Sequence, residues 1–83
     1  MYIHLGESTV VRDDEVIGFF DLETNTVSKH TRDFLKYAEK RKEVVNVSYE
    51  LPKSFILCSK GKKNKKVYIS QISSTTLLKR SEI

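Results

Sequence analysis

Hydrophobic and polar positions change period several times along the chain, and each change marks an element. Tyr2-Ile3-His4-Leu5 alternate and Gly6 follows, which predicts a first strand closed by a turn. Thr9, Val10 and Val11 form a short β-branched run, a second strand. Arg12-Asp13-Asp14-Glu15 is a charged turn. Positions 16–20 are nearly all apolar and predict a third strand, buried on both faces or partly in an interface. Gly18 within it marks a bulge or a close backbone approach.

Positions 21–28 are polar and turn-like, and Thr24, Asn25 and Ser28 can each cap a helix. Over 27–42 the period becomes helical. Val27, Thr31, Phe34, Leu35 and Ala38 share one face, and Lys29, Arg32, Lys36, Lys40 and Arg41 cover the others. A period of two returns at 44–50, with Val45, Val47 and Tyr49 on one side. Leu51-Pro52-Lys53 breaks it. Positions 54–59 and 67–72 then read as a buried strand and its hairpin partner, joined by the lysine-rich segment 60–66. Ser73 or Ser74 can cap a short last helix over 75–80. The pattern predicts one α+β domain over 1–83: a small, mainly antiparallel sheet with one main helix and a short C-terminal helix.

Size changes this picture in one respect. An 83-residue domain buries only about 60% of the surface its unfolded chain exposes, so a partner that covers apolar surface would add stability. The chain is 39% hydrophobic with eight aromatics, which argues against disorder. Cys58 is the only cysteine and lies in an apolar run, where a thiol packs as a small hydrophobe; no intramolecular disulfide is open to it. Neither a signal peptide nor a membrane span is visible, which makes the cytoplasm the expected location.

Charge is divided along the chain. Positions 1–28 carry one cation against six acids, a net −5; positions 29–83 carry fourteen cations against five acids, a net +9. A basic rear can meet a polyanion, or it can meet the acidic front of a second copy head to tail. Lys60, Lys62, Lys63, Lys65 and Lys66 put five cations into seven residues. Lysines on a hairpin tip suit contact with phosphates, without base readout; they also suit a solvated tip, and both readings stay open. Arg12, alone in the acidic front, can reach DNA or a neighbouring subunit, or pair locally with Asp13, Asp14 or Glu15. Those three acids read as a solvated turn, since their spacing is not that of a calcium loop. His4, facing away from Ile3 and Leu5, reads as a packing or interface residue. No nucleophile–base arrangement, phosphate-binding glycine loop or metal-ligand pattern appears, so an enzyme, a metal and a cofactor are not expected.

Four blocks carry a resemblance over nearly the whole chain. They are Met1-Tyr2-Ile3-His4-Leu5-Gly6; Ile17-Gly18-Phe19-Phe20-Asp21; Pro52-Lys53-Ser54 with Ile56 and Leu57; and Ser73-Ser74-Thr75-Thr76-Leu77 with Lys79 and Arg80. Together they resemble the RemA/RemB family of extracellular-matrix regulators of Gram-positive spore-formers; the lysine-rich segment looks longer here. The resemblance implies a small mixed α/β domain that assembles into ring-like homo-oligomers and acts as a DNA-binding transcriptional regulator of biofilm-matrix genes. It implies DNA contact at an early turn and at the turn between two central strands, here 12–15 and 50–53. At the first, Arg12 is followed by acids. At the second, Leu51 and Pro52 stand where the family has a basic pair, leaving Lys53. The expected partners are further copies of the chain, double-stranded DNA and a RemA-like protein. The candidate DNA contacts are Arg12, Lys53, Lys60, Lys62, Lys63, Lys65 and Lys66. The competing expectation is an oligomeric scaffold or protein-interaction module that binds no DNA.

Overall fold

Alternation in the first twelve residues closes as a hairpin: β1 (Tyr2–Gly6) pairs antiparallel with β2 (Thr9–Arg12), placing Ile3 opposite Val11. Ile3, Leu5 and Val11 are buried on one side, while Tyr2, His4 and Val10 are exposed on the other. The turn is strained: Glu7 sits at φ 50°, and the His4 Nε2–H donates to the Glu7 carbonyl at 2.7 Å. His4 thus closes its own turn and does not pack as a core residue. The computed structural model describes residues 1–22, 28–61 and 64–81. The helix caps expected at Thr24 and Asn25, the helix start at Val27, and Lys62 and Lys63 lie outside them.

The charged turn becomes one turn of 3-10 helix, Asp13–Glu15, which delivers the chain into β3 (Val16–Asp21). After α1 (Lys29–Lys40) come β4 (Val44–Asn46), β5 (Ser54–Lys60), β6 (Asn64–Ser70) and α2 (Ser74–Ser81). Among the described residues these strands form a four-stranded sheet of order β3-β5-β6-β4, beside the two-stranded β1–β2 ribbon. The β3–β5 and β5–β6 pairs are antiparallel, and β4 joins β6 in parallel. The fold class is therefore α+β and mainly antiparallel. No helix among the described residues is long and apolar enough to cross a membrane.

The sheet is covered on both faces because its strands alternate two sets of apolar side chains. On one face Ile56 and Cys58, with Val16, Phe19 and Tyr68, pack against Ile3, Leu5 and Val11 of the ribbon and Leu77 of α2. On the other, Phe55 and Val67, with Val44, Leu57 and Ile69, pack against Ala38 and Leu35 of α1. Two buried serines tie the layers together. The Ser70 hydroxyl donates to the Leu5 carbonyl at 2.6 Å and accepts from the Ile72 N–H at 3.0 Å; the Ser54 hydroxyl donates to the Ile72 carbonyl at 2.7 Å.

Five details differ from or refine the sequence pattern. Gly18 does mark a bulge: Val16 lies opposite Cys58 and Gly18 opposite Leu57, so Ile17 is the extra residue. It is also a close approach, since a Cβ there would stand 3.0 Å from the Phe20 ring. Ser28 is the cap of α1, accepting from the Thr31 N–H at 3.2 Å, and Ser73 caps α2. Ala38 is buried and Leu35 partly so, but Phe34 is 40% exposed, at the margin of the helix's inner face. The strand expected over 44–50 stops at Asn46. There the parallel ladder ends, the Glu50 N–H turns back to the Ser48 hydroxyl, and Tyr49 is fully exposed. Finally, the 60–66 segment is mostly strand: Lys60 lies opposite Asn64 and Lys65 opposite Ser59. The ladder uses only backbone groups, so solvated lysines do not interrupt it, and Gly61 at φ 73° makes the turn.

Candidate nucleic-acid interface

Because β5 and β6 pair up to Lys60 and Asn64, the lysines are held on a rigid ladder at one end of the sheet. Directly opposite residues of an antiparallel pair share a face. Lys66, opposite Cys58, therefore points to the ribbon side, and Lys65, opposite Ser59, to the α1 side. The tip carries cations on both faces.

The parallel β4–β6 pair adds a further cation. It sets Val44 opposite Val67, and the Val67 N–H donates to the Glu43 carbonyl at 2.8 Å, so the turn that ends α1 lies against the hairpin. That turn contains Lys42 in the left-handed region, at φ 59°. Lys42, Lys60, Lys65 and Lys66 line one depression of about 330 Å³ with Asn64, and Glu15 and Glu43 are its acids. Sequence reasoning did not single out Lys42. It is separated from the hairpin by a strand and a loop, and only the crossover from β4 to β6 brings them together.

Cys58 and Tyr68 form the floor of the same depression. Burial pushes the Cys58 thiol up to about 11, and the nearby Glu15 carboxylate adds to the shift. The same two causes, with Cys58 between them in size, raise the Tyr68 hydroxyl. The thiol is held protonated, which makes it a packing group and a poor nucleophile.

Arg12 and Lys53 lie elsewhere. The Arg12 guanidinium is exposed and donates to Asp14 at 3.0 Å, a surface pair worth about 0–1 kcal/mol and easily exchanged for another anion. Lys53 precedes β5 at the end remote from the hairpin tip; its backbone donates to Ser70 and accepts from Leu22, leaving the ammonium in solvent. Seven strand residues separate Lys53 from the tip, roughly 20 Å. The structure brings Lys60, Lys65 and Lys66 together and places Lys53 at the other end of the sheet. Lys62 and Lys63 lie outside the described residues. In the turn before Lys53, Tyr49 is fully exposed and Leu51 is 82% exposed.

The chain is 38% identical over 82 residues to extracellular matrix regulatory protein B of Bacillus subtilis (strain 168), spanning 99% of this chain and 91% of that protein. The profile of the RemA-like family, described as extracellular matrix regulatory protein A-like, matches residues 2–80. With a family match over nearly the whole chain and a relative at this identity, the chain belongs to the RemA-like family of extracellular matrix regulatory proteins.

Proposed function

We propose that this protein is a homo-oligomeric, DNA-binding transcriptional regulator of biofilm-matrix genes, in the cytoplasm, with no catalytic step and no cofactor. The observation that carries the reading is the cationic end of the sheet. Lys60, Lys65 and Lys66, on a rigid ladder, converge there with Lys42 from the turn after α1, in a member of a matrix-regulator family. Lysines held on strands present their charge to phosphates with less loss of freedom than lysines on a mobile loop.

Self-association is supported by β3. It is an edge strand, and Ile17, thrown out by the bulge, is 58% exposed beside a partly exposed Phe20. An open apolar edge invites a further strand or a neighbouring copy. A ring of such subunits would repeat the lysine patch, and linked weak sites gain on the order of 100- to 10,000-fold in avidity. DNA following a curved array would be selected by shape and deformability more than by base contacts.

The test is a gel shift of purified protein on long duplex DNA at low salt. Replacing Lys60, Lys62, Lys63, Lys65 and Lys66 with Ala should weaken binding about equally on all sequences. If Arg12→Ala and Lys53→Ala abolish binding while the hairpin variant binds normally, DNA is held at the family's turns and the hairpin is solvated. If the parent binds no duplex, the regulator reading fails. Tyr49 and Leu51 favour the second reading in that case: an oligomeric module that docks a protein, a RemA-like protein among the candidates, through an exposed apolar turn.

A further inference from the structure

The charges on the polar side of α1 are ordered. Lys29, Arg32, Lys36 and Lys40 follow at i, i+3, i+7 and i+11, which places them within roughly 80° of one another about the helix axis. Ala38 faces the sheet from the opposite side of the helix, with Leu35 packed beside it. All four cations are exposed, and among the described residues none of them forms an ion pair. Asp33 and Glu39 flank the row without closing on it, and α1 keeps a net +2.

The row runs between the two places already considered for DNA. Beneath it, the inner side of the N-terminal half of α1 meets Phe20 and Phe55, where His30, Thr31 and Phe34 line a shallow apolar hollow. Phe55 is two residues from Lys53. Its C-terminal end leads through Arg41 into Lys42, which lines the hairpin depression with Lys60, Lys65 and Lys66. Lys65 also points to the α1 side of the sheet. Lys53 and the hairpin tip, separate on the sheet itself, are thus joined along α1.

We infer that the outer face of α1 is a DNA-backbone contact, in which Lys29, Arg32, Lys36 and Lys40 track the phosphates of one strand between Lys53 and the hairpin. Eleven residues of helix span roughly 16 Å, long enough for the row to lie along several successive phosphates of one strand. Such contacts fix register and orientation and are indifferent to sequence.

The inference rests on the DNA-binding reading above, and the experiment separates the two. The quadruple variant Lys29→Gln, Arg32→Gln, Lys36→Gln, Lys40→Gln removes the charges with little change in helix propensity. Its affinity for long duplex DNA is measured against salt by fluorescence anisotropy, beside the parent and the charge-preserving variant Lys29→Arg, Arg32→Lys, Lys36→Arg, Lys40→Arg. The parent binds, the Gln variant loses up to about 3.6 from the slope of log affinity against log salt, and the charge-preserving variant keeps the parent slope. A bound parent with an unchanged slope in a folded Gln variant overturns the α1 contact and leaves the hairpin reading standing; the row would then serve another polyanion or none. A charge-preserving variant that loses the slope while staying folded also overturns it, since charge would not be what is read. A parent that binds no duplex overturns both.

Discussion

Truncating Phe55 and Phe34 in parallel tests how α1 is seated. Phe55, the second residue of β5, is 5% exposed. Its ring stacks on Phe20 with centroids 4.8 Å apart and planes 13° from parallel, and Phe34 tilts against it at 6.3 Å. Phe55→Ala removes a buried ring and two aromatic contacts, at a cost of roughly 3–5 kcal/mol. Phe34 lies in the same cluster but is 40% exposed, so part of its surface is already in water. Full burial of such a side chain is worth about 1.5–3 kcal/mol, which leaves about 1–2 kcal/mol for Phe34→Ala. The helical spacing alone puts Phe34 on the same face as Leu35 and Ala38, where full burial would imply the larger figure. Urea titration followed by far-UV circular dichroism measures both. A small domain has about 5–15 kcal/mol in total, so Phe55→Ala should move the midpoint far more than Phe34→Ala. Equal losses would refute the placement of α1, and a near-neutral Phe55→Ala would refute the core itself.

Ser70→Ala should cost about 1–3 kcal/mol by leaving the Leu5 carbonyl and the Ile72 N–H unpaired; thermal melting reads it, and a neutral result would mean that the ribbon is not tied to the sheet there. Cys58 should resist iodoacetamide at pH 8 and react once urea unfolds the chain. Its raised pKa means that its contribution to stability is complete below about 9 and is lost as pH climbs toward 11, so denaturant midpoints should fall across that window more in the parent than in Cys58→Ala. Light scattering at micromolar concentration should give a multiple of 9.6 kDa for the parent and a lower mass for Ile17→Lys; a monomeric parent at moderate salt would remove the self-association reading.

Most strand positions were legible because side-chain period reports the exposed and buried faces directly, as at Ile3, Leu5 and Val11. The bulge was legible because a glycine interrupts an apolar strand at Gly18. Other features depend on pairing that no local pattern encodes. Val44 and Val45 pair in parallel with β6, and that one crossover decides where β4 stops, leaves Tyr49 in solvent and brings Lys42 to the hairpin. Ser54 and Ser70 look like polar strand ends; they are buried because each satisfies a carbonyl from another segment. The lysine-rich segment read as a loop because its side chains are solvated, yet backbone pairing runs as far as Lys60 and Asn64. Its composition left phosphate contact and a solvated tip equally open, and the fold added a rigid ladder and the cation from the end of α1.

The central claim, that a cationic surface of this regulator holds the DNA backbone, is tested most directly by the salt dependence of parent binding to long duplex. Affinity is measured by anisotropy at a series of salt concentrations between 50 and 200 mM, on two unrelated sequences. Each phosphate contact contributes about −0.9 to the slope, and 6–10 contacts reduce affinity about 10³- to 10⁵-fold over that range. The expected slope is about −3.6 or steeper, following from four or more contacts per bound unit, and similar for both sequences. Absence of binding at 50 mM salt, or binding with a slope near zero, would contradict it.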